Sequence, residues 1–396
     1  MLGWELPPHN SGGLGVACYY LSKALAKTGA IIEFVVPYTA SHDGIDFMTV
    51  RYATSDTPDW RQGLGAYDSG YISDDGDGAS IRSLQKQYIE FVEQLIENEQ
   101  YDVIHAHDWL TMEAGMRAKE LSGAPLIVHV HATEFDRAGG NYGNGLVHNI
   151  EQEGFLKADK VITVSKLTRQ IVIERYRIPA EKVEVVYNAL DASSFDDGYE
   201  YDQTTYQYLE YLKGEGYTII SAVTRLTIQK GLDYLLDAFA LALSKHSKLA
   251  LLLAGDGEQR DQLIDKAAKL GIADKVFFTG FIRGQRWRDT YSVTDIFVLS
   301  SVSEPFGLSA LEAAHHQNVL ILTKQSGVSE VLQSVLQYDF WDVEELANQM
   351  VAVAHRPELV QKLRYGASKE YTRLSWDEMA EKCLNIYRQM KGLGNE

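Results

Sequence analysis

Short apolar segments that run into a small-residue turn and then a helical pattern recur in both halves of this 396-residue chain. Four of them span residues 102–107, 126–131, 249–254 and 295–300. Strand signals that alternate with helix signals indicate βαβ units, and near-continuous apolar strands indicate parallel sheets buried on both faces. The sequence therefore predicts an α/β fold with two doubly wound, Rossmann-like parallel sheets, one in each half, that face each other across a cleft.

The junction between the two halves has its own composition. Residues 194–215 are rich in tyrosine and acidic residues and lack the character of a buried strand. A segment of this kind is typical of a boundary between domains. We therefore predict an N-terminal domain over residues 1–195 and a C-terminal domain over residues 196–374.

Charge and cysteine content narrow the classes of partner. The chain has 55 Asp and Glu against 37 Lys and Arg, a net charge of −18, so nucleic acid and anionic membrane surfaces are not expected as partners. No apolar run approaches the roughly 18 residues that span a bilayer, and no basic leader with an apolar core opens the chain. Cys18 and Cys383 lie far apart without metal-ligand spacing, which favours reduced thiols. We expect a cytoplasmic protein without an integral membrane segment.

Two glutamates flank one predicted helix start. The apolar strand 295–300 leads into a turn in which Pro305 and Gly307 mark the beginning of a helix. Glu304 precedes this helix, and Glu312 lies about one turn inside it. Backbone N–H groups at such a start favour an anionic, hydroxyl-rich ligand. Here they belong to Phe306, Gly307 and Leu308. The alternative is an ordinary strand–turn–helix corner with two solvated glutamates.

A pair of cations follows the first strand of the second half. Arg225 and Lys230 lie five positions apart in one predicted βα turn, and Gly231 follows them. Opposite charge in a partly desolvated cleft is what a leaving diphosphate needs, because it stabilises the negative charge that develops there. Two surface cations paired with nearby acids are the alternative.

Glycine-rich turns follow two other predicted strands. Gly12 and Gly13 precede a helical pattern over residues 16–27, and Gly255 follows the apolar strand 249–254. Glycine lets the backbone approach a phosphate closely and directs helix N–H groups at it. Taken alone, each turn is explained equally well by tight packing.

A histidine marks the end of another strand. His131 lies at the carboxyl end of the strand 126–131, where open α/β sheets bind their ligands. A strand histidine is more often a satisfied core residue, and His129 two positions earlier illustrates that alternative.

These motifs together resemble the retaining nucleotide-sugar glycosyltransferases of family 4, the glycogen synthase and sucrose-phosphate synthase type with the GT-B fold. The likeness extends over nearly the whole chain and rests on Glu304-Pro-Phe-Gly-Leu-Ser-Ala-Leu-Glu312, on Arg225 with Lys230-Gly231, on the strand 102–107, and on Gly12-Gly13 after Glu5-Leu6-Pro7-Pro8. It implies that the first domain is the acceptor side, that the second binds the nucleotide sugar, and that a C-terminal helix, 375–396, packs back on the first.

The resemblance also implies residue roles. Glu304 is expected to contact the transferred sugar, and Glu312 to accept hydrogen bonds from the ribose hydroxyls of the nucleotide. Arg225 and Lys230 are expected to neutralise the departing diphosphate, and His131 to hydrogen-bond the donor sugar at the reaction centre. The remaining donor contacts are expected from Gly12, Gly13, Gly255, Phe306, Gly307 and Leu308.

The predicted activity is retaining transfer of a hexosyl unit, preferably α-glucosyl, from a UDP-, ADP- or GDP-sugar to a glycan or a small hydroxyl acceptor. The resemblance implies no cofactor, no metal and no separate catalytic base. Mannosyl or other hexosyl transfer stays open, as does a non-catalytic nucleotide-sugar-binding regulator. A dinucleotide-dependent dehydrogenase is disfavoured because no Gly-x-Gly-x-x-Gly with a later acid opens either half, and a glycan phosphorylase is disfavoured because its cofactor-lysine motif is missing.

Two polar segments of the first half allow further interpretations. The cluster Asp74-Asp75-Gly76-Asp77-Gly78 lacks the glutamate that a calcium loop of the EF-hand type requires and follows no buried strand, so a solvated loop is preferred over a metal site. Residues 137–147, rich in glycine and asparagine, form either an acceptor loop or a surface connection.

Overall fold

The computed structural model describes residues 1–9, 12–55, 81–196 and 198–392. The chain divides into two compact units. Unit 1 comprises Met1–Arg137, Tyr142–Asn188 and Trp376–Glu396, and unit 2 comprises Ala138–Asn141 and Ala189–Ser375. The predicted boundary lay at residue 195. The acidic cluster 74–78 lies outside the described residues.

Unit 1 is built on parallel strands. They are β1 (Glu33–Val36), β2 (Thr49–Tyr52), β3 (Ile104–His107), β4 (Leu126–Val130), β5 (Lys160–Thr163) and β6 (Val183–Val185). β1 pairs with β2, and β3 to β6 form a sheet in chain order. Leu2 bridges Val35 and Ala106 in parallel register, so the segment at the start of the chain connects the two strand groups.

Helices cover the strands of unit 1. They are α1 (Gly13–Lys27), α2 (Ile81–Asn98), α3 (Trp109–Ser122), α4 (Glu134–Arg137), α5 (Gly145–Lys157) and α6 (Lys166–Glu174). In α2 the buried residues Ile81, Gln85, Tyr88 and Val92 recur at helical spacing, so one face of the helix packs inward. α3 ends at Gly123, whose φ of 73° is the left-handed conformation that commonly closes a helix.

Unit 2 contains a six-stranded parallel sheet. Its strands are β7 (Thr218–Val223), β8 (Leu249–Ala254), β9 (Val276–Gly280), β10 (Ile296–Leu299), β11 (Val319–Thr323) and β12 (Leu336–Tyr338). Their spatial order is β12-β11-β10-β7-β8-β9. The chain therefore progresses outward from β7 in one direction and then from β10 in the other, which creates a switch point between these two strands.

The helices of unit 2 pack against this sheet. They are α7 (Ser193–Asp196), α8 (Gln207–Gly214), α9 (Leu232–Lys245), α10 (Arg260–Lys269), α11 (Gln285–Val293), α12 (Leu308–His315), α13 (Val343–His355) and α14 (Pro357–Tyr371). The core contains Leu235 and Phe239 of α9, Leu251 and Leu253 of β8, and Ile321 of β11. Both units are thus parallel-sheet α/β structures, and the predicted fold class is confirmed.

The last helix, α15 (Trp376–Met390), belongs to unit 1. The ring of Trp376 stacks on that of Tyr20 in α1, with centroids 5.6 Å apart. Lys27 at the end of α1 forms an ion pair with Asp377 at 3.0 Å. No helix among the described residues combines the length and apolar character that a bilayer crossing requires.

Candidate active site

The switch point of the unit 2 sheet brings the two predicted charge motifs together. Lys230 lies in the loop after β7, and Glu304 in the loop after β10. Lys230 Nζ donates to Glu304 Oε2 at 2.7 Å, and the two side chains are only 12% and 11% exposed. Ser301 Oγ donates to the same carboxylate oxygen at 2.7 Å. Removing one partner of such an ion pair leaves an uncompensated charge in a poorly solvated place.

The backbone around this pair is fixed by close contact between the two loops. Gly231 has a φ of 58°, and a Cβ there would lie 2.3 Å from the carbonyl oxygen of Ser300. Ser300 Oγ donates to the Lys230 carbonyl at 2.8 Å. Gln229 donates through its side chain to Ser303 O at 2.9 Å. Only glycine therefore fits at position 231, and the lysine before it is held in place.

A third loop, after β11, holds Glu304 from the other side. The backbone N–H of Glu304 donates to Gln325 O, and its carbonyl accepts from Gly327 N, both at 2.9 Å. The carbonyl of Phe306 accepts from Val328 N at 2.7 Å. Glu304 is thus anchored through its main chain as well as its carboxylate. Sequence reasoning missed this third loop as a support, because only strand pairing makes it a neighbour.

The predicted helix start is α12. Gly307 precedes it with a φ of 106°, which favours glycine, and no side chain caps the helix. The first backbone N–H groups of α12, beginning at Leu308, thus have no capping side chain among the described residues. Phe306, before the helix, is buried.

Glu312 lies on the second turn of α12, where Tyr291 of α11 donates its hydroxyl to Glu312 Oε2 at 2.5 Å. Burial raises the pKa of this carboxyl to about 7, although the tyrosine hydrogen bond acts in the opposite direction. Glu312 therefore changes its charge near neutral pH. Tyr291 could not be recognised from the sequence, because its contact with Glu312 brings together residues of two different helices, α11 and α12.

Gly255 lies where the carboxyl ends of β7 and β8 meet. Its φ is 143°, and a Cβ at this position would lie 1.8 Å from the Thr224 carbonyl oxygen. Beside it, Leu226 N donates to Asp256 O at 2.9 Å. Arg225 lies in the neighbouring loop, two residues after β7, at the sheet edge that also carries Lys230.

Unit 1 places His131 directly after β4. Its backbone N–H donates to Asp108 Oδ1 at 2.6 Å. Asp108 is fully buried and has a φ of 58°, an uncommon conformation for a residue other than glycine. Asp108 therefore fixes the strand end that carries His131. Asp108 directly follows the predicted strand 102–107, but the sequence offered no sign of this role.

Gly12 and Gly13 lie at the start of α1, close to the side chain of Glu5. A Cβ on Gly12 would lie 2.6 Å from Glu5 Oε2. The same oxygen accepts from Gly15 N at 3.4 Å. A buried carboxylate thus already faces the N-terminal end of this helix, where an anion is favoured.

Four buried histidines occupy one face of β3 and β4; we call His105, His107, His129 and His131 the histidine cluster. His105 Nε2 lies 3.2 Å from His129 Nδ1, and His107 Nδ1 lies 3.0 Å from His131 Nε2. Burial lowers the pKa of three of these rings well below its usual value and that of His131 to about 3. The cluster is therefore neutral at pH 7. Two His-x-His motifs were its only sequence signal.

The segment 137–147 is tied to a buried polar network. Arg137 donates to Glu134 at 2.9 Å and forms an ion pair with Glu151. Glu134 also accepts from the backbone N–H of Asn144 at 2.7 Å. Burial raises the pKa of Glu151 to about 7. These contacts hold both ends of the segment that was predicted to be an acceptor loop or a surface connection.

The predicted residues thus form two sets. Arg225, Lys230, Gly255, Glu304 and the α12 start lie at the carboxyl edge of the unit 2 sheet, with Glu312 on α12 held by Tyr291. Gly12, Gly13 and His131 lie in unit 1.

Comparison with protein families accounts for both units. The model for glycosyl transferases group 1 matches residues 210–370, and the model for glycosyltransferase family 4 matches residues 11–194. The chain belongs to glycosyltransferase family 4. Among curated relatives, this glycosyltransferase is similar to an uncharacterised glycosyltransferase of Methanocaldococcus jannaschii, 29% identical over 98% of this chain and 97% of that protein. It is also 27% identical to the glycogen synthase of Mycobacterium tuberculosis, over 99% and 94% of the two chains.

Solved structures support the same fold. Sucrose-phosphate synthase of Thermosynechococcus elongatus superposes with a TM-score of 0.76 at 18% identity, covering 99% of this chain and 96% of that one. Anabaena HepE, crystallised with UDP-glucose, gives a TM-score of 0.72 at 16% identity, with 97% and 99% coverage. The glycosyltransferase has the GT-B fold, as predicted.

Proposed function

We propose that this glycosyltransferase moves a hexosyl unit, preferably α-glucosyl, from a nucleoside diphosphate sugar to a hydroxyl acceptor with retention of configuration. The observation that carries the proposal is the buried Lys230–Glu304 pair beside the uncapped start of α12. An ammonium group has three N–H donors, and one of them serves Glu304. The pair keeps the site close to neutral until a diphosphate brings its own negative charge.

Each residue then has a defined part in the transfer. Arg225, Lys230 and the N–H groups at the start of α12 stabilise the charge that develops on the departing diphosphate. The diphosphate accepts the proton of the incoming hydroxyl on the same face of the sugar, so no separate base is needed. Glu304 contacts the transferred sugar, and Glu312 accepts hydrogen bonds from the ribose. The contacts of Arg225, Lys230 and the helix N–H groups favour the transition state because they strengthen as the leaving group gains negative charge.

We further propose that His131 hydrogen-bonds the donor sugar and that Gly12, Gly13 and Gly255 approach the nucleotide diphosphate. Neutral imidazole suits this part, since it can donate or accept a hydrogen bond without adding charge. The acceptor is a glycan or a small hydroxyl compound. Relatives support both kinds, because they include a glycogen synthase and D-inositol 3-phosphate glycosyltransferases. Two unbonded thiols, Cys18 and Cys383, support action in the reducing cytoplasm.

The test measures nucleotide release from UDP-, ADP- and GDP-glucose and from GDP-mannose, with and without a maltooligosaccharide and with a chelator. We expect release from one glucose donor, stimulated by the glucan and unchanged by the chelator. Proton NMR of the first product formed should show the α anomer. A β product would contradict retention, and loss of activity with the chelator would contradict metal independence.

A matched variant tests the site. Glu304→Gln keeps the size of the side chain and its hydrogen bonds but removes the charge that Lys230 requires, so transfer should fall at least a hundredfold with the fold intact. Unchanged turnover in that variant would remove Glu304 from the mechanism. Donor binding without release from any sugar nucleotide would instead identify a nucleotide-sugar-binding regulator.

A further inference from the structure

The histidine cluster and Cys18 place more metal-binding groups together than the proposed transfer uses. Cys18 lies on α1 and is buried, as are all four histidines on β3 and β4. The rings stack in two columns, with His105 and His107 centroids 4.4 Å apart and His129 and His131 centroids also 4.4 Å apart. Of the five residues, the transfer mechanism assigns a part only to His131.

Two nitrogens of the cluster lack the partners that buried polar atoms normally have. His107 Nε2 and His129 Nε2 make no hydrogen bond to any described residue, and both side chains are fully buried. An unsatisfied buried polar group costs about 1–3 kcal/mol, so native structures rarely keep one without a reason. Unmet lone pairs on a neutral imidazole are what a metal ion uses.

The positions of these atoms define a ligand set. Candidate ligand atoms of Cys18, His107 and His131 all lie within 4.8 Å of one another. Zinc bonds of about 2.0–2.3 Å in tetrahedral geometry separate ligand atoms by about 3.3–3.8 Å, so side-chain shifts of about 1 Å complete the set.

We propose that Cys18, His107 and His131 bind one divalent cation of borderline softness, such as Zn²⁺. A thiolate with two imidazoles is a donor set that selects zinc over magnesium or calcium. The histidines His105, His107 and His129 form a second set within the same 4.8 Å limit. Because His107 belongs to both sets, they compete for one ion, and the thiolate favours the first.

Binding at this place has a consequence for activity. Three protein ligands leave a fourth coordination position open, and His131, 8% exposed, is the ligand nearest to solvent. An ion on His131 takes the imidazole away from the donor sugar, so the site is inhibitory. This consequence rests on the proposed function, whereas ion binding itself does not.

The experiment titrates the full chain with Co²⁺ and follows the near-ultraviolet charge-transfer band that a cobalt-bound thiolate produces. Zn²⁺ affinity is measured in parallel by calorimetry. We expect one equivalent of each ion and a thiolate band in the unmodified protein. Cys18→Ala should remove the band and weaken Zn²⁺ binding at least tenfold, whereas Cys383→Ala, which changes the other buried cysteine, should leave both unchanged.

Histidine variants and activity provide the remaining outcomes. His107→Asn should weaken Zn²⁺ binding at least tenfold, while His148→Asn, a buried histidine outside the cluster, should not. Absence of a thiolate band in the unmodified protein, or a band that survives Cys18→Ala, would overturn the proposal. In the transfer assay, Zn²⁺ should inhibit the unmodified protein at least tenfold more strongly than Cys18→Ala. A chain that binds Zn²⁺ through Cys18 but transfers no sugar would retain the metal site and refute only the proposed function.

Discussion

The carboxyl edges of the two sheets differ in the charge state of their buried side chains. In unit 2, the loops after β7 and β10 hold the Lys230–Glu304 ion pair. In unit 1, the corresponding ends of β3 and β4 carry the histidine cluster, in which burial keeps every ring neutral at pH 7. An ion pair can exchange one partner for a charged ligand, whereas a neutral cluster offers lone pairs. Similar parallel-sheet frameworks thus differ in the chemistry of their carboxyl edges through a few residues at the strand ends.

The largest expected effect comes from removing the Lys230–Glu304 ion pair at the carboxyl edge of the unit 2 sheet. Lys230→Ala should lower kcat/KM about 10²–10³-fold, because it removes a fixed cation from a leaving diphosphate and leaves Glu304 unpaired. Steady-state kinetics with the preferred donor measures it. Lys266→Ala is the matched control, since Lys266 bonds to Asp237 at the same 2.7 Å but with 29% and 38% of the two side chains exposed. Equal losses in the two variants would mean that the edge has no special role.

The next largest effect concerns the close backbone packing at the carboxyl edge of the unit 2 sheet. Gly255→Ala should lower the free energy of unfolding by about 3 kcal/mol or more, because its Cβ would overlap the Thr224 carbonyl. Urea unfolding measures this change. Gly271→Ala isolates the backbone cost, since Gly271 has a φ of 71° with nothing within 4 Å of its Cβ. A Gly255 variant no less stable than the Gly271 variant would show that the edge relaxes.

The third prediction concerns the pH dependence of stability that the histidine cluster of unit 1 produces. The folded-state pKa values of the cluster lie below the unfolded value of about 6.5. At these four positions the unfolded chain therefore binds more protons below that pH, so the contribution of the cluster to stability should be complete above pH 6.5 and fall progressively below it. Glu151 and Glu312, whose pKa values are both raised to about 7, act with the opposite sign.

Replacing one histidine measures how much that residue contributes to the pH dependence of the unfolding free energy. His129→Asn should reduce the slope of unfolding free energy against pH by up to one proton between pH 6.5 and 5, or about 1.4 kcal/mol per pH unit. Urea midpoints at several pH values give the slope. The exposed His355→Asn serves as control. A slope identical to that of the parent protein would show that His129 is not kept neutral by the fold.

The smallest effect sharpens the role of Glu312. Its pKa of about 7 means that the donor KM should fall as pH rises through 7, because the ionised carboxylate is the stronger acceptor for ribose hydroxyls. Tyr291→Phe removes a hydrogen bond that lowers this pKa, so the fall should move to higher pH with a few-fold higher KM at pH 7. Tyr201→Phe, which breaks a tyrosine–glutamate contact of the same 2.5 Å with Glu210, should leave the profile unchanged. A profile that does not shift would separate Glu312 from donor binding.

Much of this arrangement could be predicted from sequence. Apolar strands and the turns that follow them are local patterns, so the positions of Arg225, Lys230, Glu304 and Gly255 at strand ends were predictable. Which side chains meet was not. Lys230 and Glu304 are 74 positions apart, and their contact depends on β7 lying next to β10.

The histidine cluster shows the same limit more clearly. His105 and His107 form one motif, and His129 and His131 form another, 24 positions later. Each motif alone is compatible with ordinary core residues. Only the parallel register that pairs His107 with His129 turns them into a single group. The role of Asp108 was equally hidden, since its carboxylate accepts from the backbone of His131, 23 positions later in the chain.

Because α15 belongs to unit 1, the first unit to be synthesised can be completed only after the rest of the chain has been made. The hydroxyl of Tyr387 in this helix contacts His105 Nδ1 at 2.6 Å, and the two residues lie 282 positions apart in sequence. This contact cannot form before the last helix has been synthesised. The intervening unit 2, about 190 residues, takes roughly 10–40 s to synthesise at usual rates. Unit 2 can complete its core in that interval, while the surface of unit 1 that α15 contacts, at α1 and His105, remains exposed. Unit 1 is therefore the first unit to be started during synthesis and the last to be completed.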